Sequence, residues 1–239
     1  MVAGFIATAP LPVVAALVFA VFSAMYFGMA GAVAYWTRRL PRPAPGVRPR
    51  VATSTEIRRS LRSIGVFALY GVLTVLLIRT GWLTIALDLA LLSIVRDAVI
   101  LVLWNEVHFY VCHRLLHTRV LMRVAHYQHH QSVTPSPYTA FSFHPFEAVM
   151  LGSVMVLAMP WHTFNVFALL FLPVWSLAWN VLGHCGVARL PGAAISRLFT
   201  ESVRRHDAHH ARPAANFGFV FRFMDDLGGT GEGASGSRS

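Results

Sequence analysis

The chain contains no lysine. Its twenty basic residues are all arginines, set against ten acidic residues and twelve histidines in 239 positions. Charged side chains make up only 13% of the sequence, where an ordinary soluble domain carries about a quarter. Hydrophobic residues reach 56% and the mean hydropathy is +0.57. This balance excludes a soluble globular domain and points to a membrane protein. The net charge of +10 comes without a nucleic-acid motif or a groove of interleaved aromatic and basic residues. It therefore reads as membrane topology, with no nucleic-acid partner. Arginine-only usage points to a bacterial membrane. Only two cysteines occur, Cys112 and Cys185, each beside a histidine and without CxxC spacing, which argues against a disulfide scaffold; small apolar fillers are preferred over metal ligands. No basic segment precedes the first apolar run, and that run is too long for a signal-peptide core, so a retained membrane helix is expected. No repeat recurs at solenoid spacing.

What is present is a series of apolar segments. The first, about 10–36, is long enough to span a bilayer. It is followed by a loop at 38–63 with eight arginines and one glutamate. The prolines of this loop predict an irregular first half, and Ser54 to Arg62 can begin a surface helix. The positive-inside rule places the loop in the cytoplasm. Segments at about 64–78 and 82–104, joined by RTGW, predict an antiparallel hairpin. Asp88, Arg96 and Asp97 interrupt its second arm, where charges either face the bundle interior or lie at the interface. A second apolar pair, 148–159 and 164–182, predicts another hairpin that enters and leaves on the cytoplasmic side, with a short first arm.

The unusual feature is histidine. His113 to His130 reads HRLLHTRVLMRVAHYQHH. At about 100° per residue, His113 and His117 fall on one helix face, and His126, His129 and His130 within one arc. HDAHH repeats that spacing and puts His206, His209 and His210 on one face of a later helix. Both clusters begin on the same side of the bilayer, so they can share a site. Eight inward imidazoles without a metal need many buried partners, or else charge and repel one another. They are too many for one zinc and suit two metals; imidazole suits iron as well as zinc, and no HExxH supplies a glutamate base beside a zinc.

The run HRLLH…HYQHHQSVTPSPYTAFSFHPFEA, then NVLGHCG, then HDAHHARPAANFGFVFRFMDDLGGT resembles the fatty acid hydroxylase/sterol desaturase family over about His108 to Thr230. The resemblance implies an all-α integral-membrane bundle with a cytoplasmic helical cap carrying two iron ions. It implies hydroxylation or desaturation of an unactivated C–H bond of a sterol, fatty acyl chain or related lipid, with O2 as co-substrate and two electrons. By position it implies metal ligation by His113, His117, His126, His129, His130, His184, His206, His209 and His210. Asn180 stands where some relatives have a further histidine and would hold a water on the metal. Met224 and Gly229 replace two aromatics of the closing motif, which puts the packing of that lid in doubt. With no fused cytochrome, flavin or ferredoxin segment in the sequence, electrons are expected from a separate protein of ferredoxin or cytochrome b5 type. The organisation implied is transmembrane helices at 1–104 with the basic loop 38–63, a di-iron domain at 105–230 that includes the hairpin 148–182, and a disordered tail at 231–239.

Other residues are weighed against blander roles. His108 points away from the His113–His117 pair and reads as structural or as a support behind the ligands. His144 reads equally as a packing residue or as one facing the substrate. His162 lies at the far hairpin tip and is no ligand. Glu106 and Asp207 either accept N–H bonds from ligand imidazoles or are solvated. Arg114, Arg119, Arg123, Arg204 and Arg205 follow the positive-inside rule, with contacts to lipid phosphates or an acidic electron donor as the alternative. Two rivals to the oxygenase stand: a di-zinc membrane hydrolase and a non-catalytic lipid-binding membrane protein.

Overall fold

A computed structural model describes residues 2–40, 51–187 and 194–232. Helix α1 (Val2–Thr8) precedes α2 (Leu11–Thr37), whose start after Pro10 uses the fixed φ of proline and whose body is apolar on every face. The chain returns in α3 (Thr53–Arg79), and α4 (Leu91–Leu116) follows. Short turns come next: α5 (Arg119–Leu121), a π-helical turn at Met122–His126, and α6 (Tyr127–His130). The second hairpin is α7 (Pro145–Gly152) and α8 (Val154–Ala158) going out, then α9 (Val166–Gly183) coming back. Helices α10 (Ala194–Ala211) and α11 (Phe223–Gly228) close the described chain. The only strands among the described residues are β1 (Ile85–Ala86) and β2 (Phe164–Asn165), a short parallel pair.

Among the described residues three helices, α2, α3 and α9, are long and apolar enough to cross a membrane. The chain is an integral membrane protein with an all-α architecture. Leu17, Val21, Leu69 and Leu170 are exposed on these helices, as lipid-facing side chains must be. Apolar surface gains little by leaving lipid for protein, so close packing and polar contacts hold the bundle together. Gly71 shows the closeness: a Cβ there would stand 2.9 Å from Val18 Cγ2, so the glycine lets α2 and α3 meet. Arg79 ties the far end of α3 to α1 through the carbonyls of Ile6 and Ala9.

The second arm of the first hairpin departs from the sequence expectation. It begins as a helix at Leu91 rather than near Trp82. Gly81 turns the chain at φ 78°, 85–86 pairs with 164–165, and Asp88 accepts bonds from the Ala90 N–H and the Ser93 hydroxyl. Those bonds hold the chain extended up to the helix start. The two open readings of the charges here resolve differently. The Asp97 carboxylate is fully buried and accepts the Asn165 N–H and His162 Nε2, whereas Arg96 reaches it from an exposed position. The surface helix expected from Ser54 is the first two turns of α3 itself. Most of the stretch expected to be irregular in the arginine loop, 41–50, lies outside the described residues, as does 233–239 of the tail expected to be disordered from 231; the described Glu232 is held, its N–H donating to Asn216 Oδ1.

The main core gathers Tyr26, Ile64, Phe141, Phe143, Leu177 and Val181 from α2, α3, α9 and the loop before α7. This core supports the histidine cluster. Arg59 on α3 donates to the Gln128 carbonyl and to Gln131 Oε1, and Val33 and Leu40 pack against Cys185 and Val203. The arginine-rich end of the bundle is therefore the histidine end.

Candidate metal centre

All nine sequence-predicted histidines converge. They fall into two adjoining groups: His113, His117, His126, His130 and His209 in one, and His129, His184, His206 and His210 in the other. Within each group one ring nitrogen per histidine lies within 4.8 Å of all the others. His113 sits in the last turn of α4 and His117 at its C-cap, while His184 is the C-cap of α9 and the HDAHH residues end α10. The first HxxHH is not a regular α-helix. His126 closes a π turn and His129 and His130 lie on the single α turn that follows. Each HxxHH is split in the same way. Its first and last histidines, at i and i+4, join one group, and its middle histidine, at i+3, crosses to the other.

Hydrogen bonds around the cluster determine which nitrogens face inward. His113 Nδ1 bonds to the Phe217 carbonyl (2.9 Å), His209 Nδ1 to the Ala215 carbonyl (2.7 Å), His184 Nδ1 to the Asn180 carbonyl (2.7 Å) and His126 Nδ1 to Glu147 Oε1 (2.9 Å). Carbonyls and carboxylates only accept, so each of these Nδ1 atoms carries the proton and each Nε2 presents a lone pair. Yet His184 Nε2 lies 3.2, 2.9 and 3.1 Å from the Nε2 atoms of His129, His206 and His210. His126 Nε2 is similarly 3.0 Å from His117 Nε2 and 3.1 Å from His130 Nε2. One lone pair accepts one proton well, so most of these approaches are lone pair against lone pair. His209 Nε2 and the Nδ1 atoms of His129, His130 and His210 are buried without a hydrogen-bond partner among the described residues.

Protonation offers no relief at eight of the nine rings. Burial, followed by the neighbouring imidazoles, holds His113, His129, His130, His206 and His210 well below the ordinary histidine value. Burial likewise brings His117 to about 2, His209 to about 3 and His184 to about 4. These rings stay neutral at neutral pH, which is the form that binds metal. The cluster is able to bind metal.

An apolar cavity of about 280 Å³ lies beneath the cluster, between α3, α4, α8 and α9. It reaches Phe109, Phe143 and Asn180. Each adjoins a cluster imidazole: Phe109 packs on His113, Phe143 on His129, and Asn180 binds His184 through its carbonyl.

The sequence profile of the fatty acid hydroxylase family matches residues 98–230, more than half of the chain. The chain belongs to that family. Among its relatives, a Delta(7)-sterol 5(6)-desaturase of Gibberella zeae is 27% identical over 56% of this chain and 41% of its own length. A very-long-chain aldehyde decarbonylase of Oryza sativa is 30% identical over 53% of this chain and 22% of its own. Human lathosterol oxidase is 25% identical over 59% and 46%. The matched region spans less than half the length of each of these relatives. No solved structure matches the chain.

Several neighbours of the histidines hold places that the sequence alone did not indicate. Glu106 is neither an imidazole partner nor solvated. It is fully buried, accepts the backbone N–H groups of Val220 and Phe221, and is raised to about 7 by burial. The carboxylate that does hold an imidazole is Glu147, which histidine spacing does not reveal; its signal is FHPFE, where a proline-started helix aims its first-turn acid backward. Asp225 accepts the Phe217 and Gly218 N–H groups and the Thr230 hydroxyl, and so holds the loop whose carbonyls bind His113 and His209. The closing motif packs without the two aromatics. Gly229 takes a left-handed φ of 62° at the α11 C-cap, and a Cβ on Gly228 would collide with the Tyr110 hydroxyl. His108 bonds to Ser153 and stays outside both groups. His144 caps α7 by accepting the Phe146 N–H, and His162 sits with Asp97 at the hairpin tip. Asp207 is half-buried.

Proposed function

We propose that this chain is a membrane-bound di-iron oxygenase that hydroxylates or desaturates an unactivated C–H bond of a lipid. O2 is the co-substrate, and a separate protein of ferredoxin or cytochrome b5 type delivers two electrons. The observation that carries the reading is the convergence of nine imidazoles, in groups of five and four, at the end of an apolar cavity. The donor set fits a pair of metal ions. Inner lone pairs held 2.9–3.2 Å apart repel one another until a cation lies between them. Nine nitrogens exceed the four or so that a single zinc takes, and imidazole suits iron.

In this reading His113, His117, His126, His130 and His209 hold one ion, and His129, His184, His206 and His210 hold the other. Asn180, one helical turn before His184, stands beside the smaller group, where its side chain positions a water. A pair of irons supplies the redox chemistry that activates O2 toward a C–H bond. The chain does the remainder. Glu147 and the carbonyls of Asn180, Ala215 and Phe217 fix ring orientation. Phe109 and Phe143 bring hydrocarbon wall up to the imidazoles, so that a bound lipid is held against the centre and water is kept from it.

Residues 1–104 then serve as the membrane part and 105–230 as the catalytic part. Arginines collected at the histidine end support a cytoplasmic centre in a bacterial inner membrane. The names of the relatives, two acting on sterols and one on very-long-chain aldehydes, support a lipid substrate. The test compares the lipids of cells expressing the wild type with those of cells expressing His129→Ala, by mass spectrometry. A lipid that has gained one oxygen or lost two hydrogens only in wild-type cells is expected. Identical lipids from well-expressed, iron-loaded protein would sink the proposal, and turnover supported by zinc without reductant or O2 would replace it with a hydrolase.

A further inference from the structure

The cavity wall is almost wholly hydrocarbon, and three of the polar side chains on it are already committed. Tyr70 donates to the Val149 carbonyl, Thr74 donates to the Tyr70 carbonyl, and His108 pairs with Ser153. Asn105 differs from these. It lines the cavity, is only 4% exposed, and its Nδ2 finds no acceptor among the described residues. A buried amide donor left unpaired carries a penalty that an apolar residue in its place would avoid, and asparagine is also a poorer helix former than leucine. Such an orphan calls for an explanation. A ligand in the cavity that carries an acceptor provides one.

The helix register says where that acceptor lies. Asn105, Phe109 and His113 follow one face of α4 at four-residue intervals. Asn105 is thus eight residues from His113, roughly 12 Å along the axis toward the membrane interior. Relying on the oxygenase reading for which end of the cavity reacts, we propose that Asn105 is a specificity-determining residue. Its Nδ2–H donates to a hydroxyl or carbonyl oxygen of the lipid, at roughly 12 Å from the carbon presented to the imidazoles. A pure hydrocarbon leaves the donor unpaired and binds less tightly. A site built around a donor discriminates strongly against an analogue that cannot accept from it.

The test uses metal-loaded protein in nanodiscs, under anaerobic conditions and without reductant, so that binding is read without turnover. Two radiolabelled pairs serve as probes: 1-hexadecanol against hexadecane, and cholestanol against cholestane. Wild type is expected to prefer the oxygenated member of at least one pair by about tenfold. Asn105→Leu is expected to keep hydrocarbon binding and metal content, to reduce the preference to about twofold or less, and to hold or raise Tm. Asn105→Ala, which cannot overpack, should lose the preference equally. Absence of a preference in both pairs, its survival in both variants, or a fall in Tm in both variants would overturn the assignment. The two proposals fail separately. Unchanged cellular lipids with an intact alcohol preference sink the oxygenase alone, and lipid oxidation with a preference insensitive to Asn105 sinks this one alone.

Discussion

At least four of the nine imidazoles have their inner nitrogen freed by partners that are not themselves histidines. Glu147 is the one side-chain partner among them. Glu147→Ala leaves the His126 Nδ1–H buried and unpaired, so metal affinity should fall by about 10–100-fold, read by competing iron-loaded protein against a chelator. Unchanged affinity would mean that the carboxylate only fills space. The depressed rings carry a pH consequence for the metal-free protein. Unfolded, His117, His184 and His209 take up protons near pH 6.5; folded, they refuse them until about 2, 4 and 3. Between those values the unfolded chain binds more protons, so stability falls as pH drops below 6.5. Metal-free protein in detergent should therefore melt at a lower temperature at pH 5.5 than at pH 7.5, and a flat profile would contradict the burial of these rings. At this scale the histidines were legible because 3.6-residue periodicity shows which side chains share a face. Glu106 and Glu147 were not, because periodicity does not name a partner 114 or 21 residues away.

Elements explain how the rings hold their register. The loop after the first HxxHH is pinned by Glu56, a fully buried carboxylate near the start of α3 that accepts the hydroxyls of Ser132, Ser136 and Thr139 at 2.7–2.8 Å. Glu56→Ala orphans three buried hydroxyls and should cost about 3 kcal/mol, seen as a lower Tm with metal content retained at saturating iron. A neutral result would make the latch redundant with the Arg59–Gln131 contact. The spans α2, α3 and α9 were readable because apolar length is nearly sufficient to specify a membrane helix. The start of α4 was not. Its apolar residues begin at Trp82, but Gly81, Asp88 and a two-residue strand pairing decide where the helix begins. The π turn at Met122–His126 was hidden for a related reason: an extra residue in a turn leaves HxxHH spacing intact while changing the backbone beneath it.

Across the whole molecule, charge, cavity and cluster share one axis. The arginines lie at the histidine end, the cavity runs from there toward the middle of the apolar helices, and the hairpin tip with His162 and Thr163 lies at the opposite end. This axis predicts topology. Cys112 and Cys185 are both buried, so a cysteine introduced at an exposed site can report its own side of the membrane. Thr163 is exposed at the tip, and Arg204 is exposed beside the cluster with its side chain 67% accessible. In intact spheroplasts a membrane-impermeant maleimide should label Thr163→Cys at once and Arg204→Cys only after lysis. The inverse pattern would put the centre outside, where a cytoplasmic electron donor cannot reach it. Labelling of both sites before lysis would mean that the apolar helices lie along the bilayer rather than across it, and the path from lipid to imidazoles would have to be drawn differently.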